Sequence, residues 1–275
     1  MTLRCGHGAT LDAVPAPHRP PLNIDQLRAA ISDTGWRRVD VVEETGSTNA
    51  DLIARAAAGE DIAGAVLFAE YQAAGRGRHG RNWSAPARSQ ISMSVGVDTT
   101  GVAADRWGWL PLLTGLAVAR VVRDGFGVDA GVKWPNDILV GSGKLAGILA
   151  EVSAPVIVVG LGLNVSLTAD ELPDPNAVSL AMLGHDADRT ALAAAVLREL
   201  AVQLRRWRTA DAALTADYRG VSTTIGTRVR ALLPGDTEIV GVATGIDDAG
   251  RLLIDDSGST VTVSAGDITH VRPAE

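Results

Sequence analysis

The order of the hydrophobic runs along this chain strongly limits the folds that it can adopt. Before Tyr218, apolar runs typical of buried strands, such as 65–69 and 156–159, alternate with helical patterns, of which 190–207 is the clearest. After Tyr218, only short strand-like runs follow, separated by turns rich in glycine, aspartate and proline. The pattern predicts an α/β (α+β) domain followed by a small β module of barrel size.

The same pattern predicts where the domains begin and end. Residues 1–21 contain several prolines and no apolar periodicity, which indicates a flexible leader that is too short for a helix-turn-helix domain. We expect the large domain over residues 22–220 and the β module over residues 221–275. A chain of 275 residues, 46% of them hydrophobic, can bury cores of this size.

Capping signals and periodicity locate the other elements of the large domain. Thr48 and Asp51 have the spacing of a capping box, so Ser47 and Asn49 should lie at the amino end of a helix that stops near Gly59. The strand expected at 90–97 alternates as though it were half-exposed. The remaining expectations are helices over 23–31 and 110–122, and strands over 39–42, 131–134, 144–152, 229–233, 239–246, 251–254 and 260–264.

Positive charge is concentrated in one short segment, although the formal net charge of the chain is −7. Residues 71–97 contain no aspartate or glutamate, and they include Arg76, Arg78, Arg81 and Arg88. A general nucleic-acid-binding domain would be basic as a whole and would spread lysine and arginine over one face. The segment therefore favours one compact anionic ligand.

Simple counts exclude other classes of protein. No window approaches the roughly 18 apolar residues that a membrane span needs, and the amino terminus lacks the apolar region of a secretory signal. We therefore expect a cytoplasmic protein without a membrane partner. The only cysteine, Cys5, excludes a disulfide within the chain and leaves no cysteine-based metal cluster.

The segment 75–81 matches the glycine pattern of dinucleotide-binding loops but lacks their context. Such a loop must open a helix, whereas here a strand is expected to follow. If the segment is extended, Arg76 and Arg78 point to one side and can hold carboxylate and phosphate oxygens, while Gly75 and Gly77 allow a close backbone approach. The alternative is a solvated, mobile basic loop. The absence of an acidic neighbour in the sequence favours the ligand-binding interpretation.

Two lysines, Lys133 and Lys144, lie in sequence motifs that restrict their structural context. Lys133 precedes Trp134 and Pro135, whose restricted backbone should hold the lysine at a rigid strand end. Lys144 begins a buried strand, and the glycines before it lack the spacing of a Walker A loop. The alternative for the first motif is a core tryptophan, an ordinary turn and a solvated lysine. The run 160–164 fits either a bulged strand end or a backbone that passes close to a ligand.

Taken together, these motifs resemble the biotin–protein ligases in order and spacing. The segments that carry the resemblance are 46–49, 70–78, 133–137, 144–148 and 160–164. The resemblance covers roughly residues 40–270. It implies a mixed sheet flanked by helices, like that of class II aminoacyl-tRNA synthetases, followed by a small C-terminal SH3-like β-barrel.

The resemblance also implies an activity, cofactors and site residues. The chain would form biotinyl-5′-AMP from biotin and ATP, with Mg²⁺ carried by the ATP phosphates rather than by a fixed protein site, and would transfer biotin to a lysine of a biotin carboxyl carrier domain of acyl-CoA carboxylases. Lys133 and Arg78 match the catalytic positions. The positions matching the biotin site are Ser47, Thr48, Asn49, Gln72, Gly75, Arg76, Gly77, Arg78, Lys144 and Gly147. Those matching the ATP and adenylate site are Arg78, Arg81, Trp83, Lys133, Asn136 and Asn164.

One residue of the loop departs from the usual family pattern. His79 stands where an arginine is common, and strand alternation would point it away from Arg78, so we expect little loss of function. The oligomeric state stays open between a monomer and a weak homodimer, and no nucleic-acid partner is expected. Two alternative functions remain: a lipoate or octanoate ligase, whose fold is related, and a biotin-sensing DNA-binding regulator, which would need a winged-helix domain of about 60 residues.

Overall fold

The computed structural model describes residues 18–233, 237–264 and 267–270. Cys5 and most of the predicted leader lie outside this part of the chain. Of the leader residues that are described, Arg19 and Pro20 contact the large domain. Arg19 Nη1 donates to Glu171 Oε1 at 3.0 Å, and Arg189 Nη2 donates to the Pro20 carbonyl at 2.9 Å.

The large domain contains a seven-stranded mixed sheet, which confirms the predicted fold class. The strands are β1 (Arg38–Thr45), β2 (Ala65–Gln72), β3 (Gln90–Asp98), β4 (Ala130–Lys133), β5 (Asp137–Val140), β6 (Gly143–Ser153) and β7 (Val156–Asn164). Their order in the sheet is β1-β2-β3-β7-β6-β5-β4. Only the β1–β2 pair in this sheet is parallel.

Helices cover both faces of this sheet because its strands are apolar on both sides. The helices are α1 (Ile24–Ala30), α2 (Thr48–Ala57), α3 (Trp109–Phe126), α4 (Arg189–Arg208) and α5 (Ala213–Val221). Adjacent residues of a strand point to opposite faces. Accordingly, Val66 and Phe68 of β2 belong to the large core that includes α3 and α4, whereas Leu67 packs in a smaller cluster with Leu52 of α2. None of the described helices is long and apolar enough to cross a membrane.

The second sheet is small and antiparallel, as the short strand-like runs predict. Its strands are β8 (Arg228–Leu233), β9 (Thr237–Ile246), β10 (Leu252–Asp256), β11 (Ser259–Val263) and β12 (Asp267–His270), in the order β11-β10-β9-β8-β12. Its turn at residues 247–251 packs against the large domain. The indole N–H groups of Trp109 and Trp134 donate to the carbonyl oxygens of Asp248 and Gly250, at 2.8 and 3.0 Å.

Two local predictions were wrong, and three elements were missed. β3 is buried along nearly its whole length, because it lies between β2 and β7 in a sheet that helices cover on both faces. The N-cap of α2 is Ser47, whose Oγ accepts from the Ala50 amide, and Asp51 accepts from Thr45 Oγ1 at 2.6 Å instead of closing a capping box with Thr48. The elements α5, β5 and β12 were not predicted, since each is short and weakly periodic.

Candidate active site

A cavity of about 580 Å³ lies beyond the amino end of α2. It lies on the face of β7 that carries Gly160, Gly162 and Asn164. Further walls come from the segment 76–84, the turn 133–137 between β4 and β5, and the segment 173–177. Every predicted site residue except Gly75 lines this cavity, so one fold brings together positions from Ser47 to Asn164.

The inner end of the cavity is a network of buried polar groups. The Gln72 side-chain oxygen accepts from the Thr48 amide at 2.9 Å and from its hydroxyl at 3.1 Å. Ser94 Oγ lies 2.7 Å from Thr48 Oγ1 and 2.6 Å from Asn49 Oδ1. Ser94 was missed by the sequence analysis, because nothing in a buried strand distinguishes one serine from another until its neighbours are known. We call Thr48, Asn49 and Gln72, which line the cavity, together with Ser94, which is buried behind them, the polar floor.

Glycines of β7 make room for two of the side chains in this cavity. A Cβ on Gly160 would lie 2.4 Å from Asn49 Oδ1, and one on Gly162 would lie 2.2 Å from Trp83 Nε1. The strand keeps regular pairing with β3 and β6 through both glycines. The run is therefore not a bulge; it is a recess that accepts Asn49 and Trp83, and both glycines also line the cavity.

The arginine-rich segment is a folded hairpin and not an extended strand. Arg76 pairs with Asn82, the Gly77 amide donates to the Arg81 carbonyl at 2.7 Å, and one 3₁₀ turn covers Arg78–Gly80. His79 sits in that turn with φ of 55°. The alternation argument for Arg76, Arg78 and His79 was therefore wrong, because strand periodicity does not apply to this turn.

The two central arginines of this hairpin reach different partners. Arg76 Nη2 lies 3.4 Å from Glu151 Oε2, which also accepts from the Asn49 side-chain amide at 2.8 Å. Arg78 Nη1 donates to Asn136 Oδ1 at 3.1 Å. The absence of an acidic neighbour in the sequence does not extend to the fold, since β6 brings Glu151 to Arg76 from a distant part of the chain.

Gly75 has a structural position in the same hairpin. A Cβ there would lie 2.3 Å from the Trp83 carbonyl oxygen, and the Trp83 amide donates to the Gly75 carbonyl at 2.8 Å. This glycine lets the two arms of the hairpin come together. It does not line the cavity, although the resemblance matched it to the biotin site.

Both predicted lysines line the cavity, and Lys144 has two partners in it. Its Nζ lies 2.7 Å from Asp137 Oδ1 and 5.5 Å from the centre of the Trp83 ring. An ammonium group over an indole face is attracted by the ring quadrupole, so Lys144 and Trp83 orient one another. Lys133 ends β4 and is half-buried. Its neighbour Asn136 is fixed by donating to the Ile148 carbonyl at 2.9 Å.

A wall of the cavity comes from the segment 173–177, which no motif predicted. The Lys144 amide donates to the Asn176 carbonyl at 2.6 Å, and the Val178 amide donates to the Lys144 carbonyl at 3.0 Å. Asn164 is buried, and its side-chain amide donates to the carbonyl oxygens of Lys144 and Val178 at 3.3 and 3.0 Å. Asn164 therefore holds this wall in place as well as lining the cavity.

Arg19 fixes the residues that lead into this wall, Ser166 and Glu171, and we call them the base of the wall. Its guanidinium donates to both carboxylate oxygens of Glu171 and to the hydroxyl and carbonyl of Ser166. The hydrogen bonds from Arg19 lower the pKa of the Glu171 carboxyl below its ordinary value. Glu171 also closes a capping box with Thr168.

The cavity suits a ligand with a polar head and an anionic end. The polar floor offers hydrogen-bonding groups at one end, while Arg78, Lys133 and Lys144 supply positive charge elsewhere on the lining. Among the described residues, no group of three or more His, Cys, Asp and Glu side chains is arranged to hold a metal ion. Two carboxylates, Asp137 and Asp174, are part of the lining.

Comparison with known proteins gives consistent matches along the chain. Residues 46–166 match the Biotin/lipoate A/B protein ligase family, and residues 224–271 match the Biotin protein ligase C terminal domain. The biotin--[acetyl-CoA-carboxylase] ligase of Mycobacterium tuberculosis is 54% identical, over 92% of this chain and 97% of that protein. The bifunctional ligase/repressor BirA of Escherichia coli is 32% identical, over 93% of this chain and 80% of that protein.

Solved structures with the same fold include complexes with small molecules. The biotin protein ligase from Aquifex aeolicus in complex with biotin and ATP has a TM-score of 0.75 and 25% identity, over 86% of this chain and 100% of that one. The biotin protein ligase from Leishmania major in complex with biotinyl-5-AMP has a TM-score of 0.58 and 25% identity, over 83% and 99%.

Proposed function

The chain belongs to the biotin protein ligase family, and from this premise we propose that it activates biotin with ATP and transfers it to a lysine of an acceptor protein. The intermediate would be biotinyl-5′-AMP, and the acceptor a biotin carboxyl carrier domain of an acetyl-CoA carboxylase, as the name of the mycobacterial relative suggests. Because the reaction consumes ATP, we also propose a cytosolic location. No nucleic acid takes part in it.

The polar floor is the observation that carries this proposal over the lipoate alternative. Biotin ends in a cyclic urea with two N–H donors and one carbonyl acceptor, which can form hydrogen bonds with the polar groups that Thr48, Asn49 and Gln72 present to the cavity. A dithiolane or alkyl end has no such groups, so it would lie against this polar surface without forming hydrogen bonds to it. Sites built to hydrogen-bond a polar group discriminate strongly against analogues that lack it.

Adenylation needs charge stabilisation and no general base. The biotin carboxylate is ionised near neutral pH and attacks the α-phosphorus of ATP; a C(O)O–P bond forms, the bond from the α-phosphorus to the bridging oxygen breaks, and pyrophosphate leaves. One cation about 4 Å away, at an effective dielectric of about 20, contributes about 4 kcal/mol. If this stabilisation acts only on the transition state, it raises the rate nearly a thousandfold, which corresponds to about 4 kcal/mol of activation free energy.

The cations of the cavity fit this requirement. We assign Arg78 and Lys133 to the reacting phosphate, and Lys144 to the carboxylate and phosphate side. Arg81, Trp83, Asn136 and Asn164 would surround the nucleotide, and Ser47, Arg76, Gly77 and Gly147 would complete the biotin side. Gly75 we assign to the shape of the hairpin, because of its packing against Trp83.

We propose that Mg²⁺ enters with the phosphates of ATP. Carboxylate oxygens are ligands that Mg²⁺ accepts, but Asp137 is paired with Lys144 and Asp174 accepts hydrogen bonds from Asn176. These two residues can therefore add at most a partial ligand set. When bound, the ion would neutralise phosphate charge during the attack.

In the transfer step the acceptor supplies the nucleophile. Its neutral lysine amine attacks the carbonyl carbon of the mixed anhydride, a C–N bond forms, the C–O bond to the phosphate breaks, and AMP leaves while the nitrogen loses a proton. The cations that stabilised the first transition state also stabilise the leaving AMP. One cavity can therefore serve both steps.

Exchange of labelled pyrophosphate into ATP tests this function. We expect exchange only with biotin, and not with lipoate, octanoate or no acid. Lys133→Ala should lower the rate roughly a hundredfold or more, because a preorganised cation facing the phosphate is lost. Arg37→Ala, which removes an exposed arginine paired with Asp61, is the control and should exchange like wild type. Exchange without biotin, or equal exchange with lipoate, would overturn the proposal.

A further inference from the structure

β4 carries Lys133 at the edge of the seven-stranded sheet, and this edge is covered by the beginning of the C-terminal part of the chain. β4 pairs with β5 on one side only. On the other side, the Thr223 amide donates to the Val132 carbonyl at 2.9 Å, and Val132 and Ser222 form a parallel bridge. A Cβ on Gly131 would lie 2.3 Å from Thr223 Cγ2, so a glycine is needed for this approach.

The residue after Lys133 is held by two hydrogen bonds from beyond the large sheet. The Trp134 amide donates to Thr224 Oγ1 at 3.0 Å, and its indole N–H donates to the Gly250 carbonyl at 3.0 Å. Trp134 is 2% exposed and Thr224 is 0% exposed, so water does not compete for either bond. The backbone and the side chain of Trp134 are thus both fixed.

The turn that binds the Trp134 indole is itself well supported. Asp247 Oδ1 accepts from the amides of Ala249 and Arg251, and the Gly250 amide donates to the Asp247 carbonyl at 2.9 Å. Arg251 also pairs with the Asp247 carboxylate at 2.7 Å. A Cβ on Gly108 would lie 2.7 Å from the Ala249 carbonyl oxygen, which shows how closely α3 approaches this turn. The turn is therefore a fixed point of attachment.

We propose that Thr224 is a positioning residue for Lys133, and that it acts together with the Gly250 carbonyl by fixing Trp134 at the end of β4. This inference rests on the proposed function, because it concerns the lysine assigned to the reacting phosphate. Errors of about 1 Å in the placement of a catalytic group can lower a rate roughly a hundredfold. Loss of the Thr224 hydroxyl releases the Trp134 amide, and with it the backbone that orients Lys133.

A double-mutant cycle tests the inference. Thr224→Val keeps the shape of the side chain and removes the acceptor, while Thr224→Ser keeps the hydroxyl. In biotin-dependent pyrophosphate exchange by the full chain, we expect Thr224→Val to lower kcat roughly tenfold to a hundredfold with the KM for biotin little changed, and Thr224→Ser to restore the rate. In the Lys133→Ala background, Thr224→Val should lower the rate no further.

A matched control separates positioning from general destabilisation. Thr99 is also buried, and its hydroxyl donates to the Pro155 carbonyl at 2.7 Å, away from the cavity. Thr99→Val should lower the midpoint of unfolding as Thr224→Val does, yet leave exchange unchanged. If Thr224→Val gives no folded protein, Trp134→Phe, which removes the indole N–H bond to Gly250 together with part of the ring, enters the same cycle with the same expectation.

Two results would overturn the inference. One is an unchanged kcat in a folded Thr224→Val protein; the other is an equal loss of rate in the wild-type and Lys133→Ala backgrounds. Failure of the proposed function looks different, because the wild-type chain would then show no biotin-dependent exchange at all.

Discussion

Two glycines, which have no side chain, shape the cavity as much as its charged residues do. Gly160 and Gly162 lie two residues apart on β7 and face the same side of the sheet. Their positions are filled by Asn49 and Trp83, which come from other elements. Asn49 cannot move aside, because its amide donates to the Leu149 carbonyl and to Glu151 and its oxygen accepts from Ser94.

A methyl group at position 160 should therefore weaken biotin binding. The Cβ of Gly160→Ala would lie 2.4 Å from Asn49 Oδ1 and must displace it. Loss of one or two buried hydrogen bonds, worth about 1 kcal/mol each, predicts a KM for biotin roughly tenfold higher. Gly125→Ala is the control: it meets nothing within 4 Å and lies within α3, so it should raise stability and leave the KM unchanged. A normal KM in Gly160→Ala would contradict the assignment of this end of the cavity to biotin.

The sequence located these residues but could not reveal their contacts. It marked 46–49 and 160–164 as separate motifs, and it left the glycines open between a bulge and a ligand approach. Which side chain fills the space beside a glycine depends on the crossing of α2 over β7, which is a property of the fold. Ser94 and Glu151 were not predicted from the sequence for the same reason, since their importance comes from neighbours that are distant in sequence.

At the scale of elements, the arginine hairpin is largely exposed, with Arg76, His79 and Arg81 at the surface. The side chains of Arg76 and Arg78 bond to Glu151 and Asn136, and short backbone bonds join its arms. We expect trypsin to cleave near Arg78 in the protein alone, and biotin with ATP to slow this cleavage, because the adenylate neutralises the arginines and orders the segment. Biotin alone and ATP alone are the comparison samples, and cleavage elsewhere in the chain is the internal control. Equal cleavage in all samples would contradict ordering by the ligand.

The wall at 173–177 should respond to acid through its base at Glu171. Arg19 lowers the pKa of this carboxyl in the folded chain. The stability it contributes is therefore present above the ordinary glutamate pKa and is lost as the pH falls through the lowered value. Arg19→Met should cost roughly 1 kcal/mol in the free energy of unfolding at pH 7, and less as the solution is acidified. Urea unfolding at several pH values measures this difference.

An unrelated ion pair provides the comparison for Arg19. Arg198 pairs with Asp33 on the surface, where both side chains are about half or more exposed. Arg198→Met should change stability little at any pH, because solvent screens exposed pairs. A cost for Arg19→Met that stayed constant on acidification would show that lost packing, and not the charge, is responsible.

At the scale of the whole molecule, the two sheets should unfold together. The indoles of Trp109 and Trp134 join the large domain to the turn at 247–251. We expect thermal unfolding to show one transition, with tryptophan fluorescence and far-ultraviolet circular dichroism changing at the same midpoint. Trp109→Phe should lower that midpoint without splitting the transition. Two separate midpoints in the wild-type chain would mean that the junction is too weak to couple the sheets.

The sequence predicted the architecture better than it predicted this junction. Runs such as 156–159 and 190–207 show their periodicity locally, so the mixed α/β fold and the small β module could be predicted and are confirmed. Thr223 and Thr224 lie between elements and have no pattern of their own. Their importance arises only when β4 becomes the edge of a sheet, which depends on the order of all seven strands.

The covered edge of β4 also bears on how this chain can be shortened. An uncovered strand edge presents free amide and carbonyl groups that pair with other molecules, which is a common start of aggregation. A chain cut before Ser222 would expose Val132 in this way. Such a fragment should precipitate or self-associate. The residues that follow Val221 therefore also prevent self-association of the protein through the edge of β4.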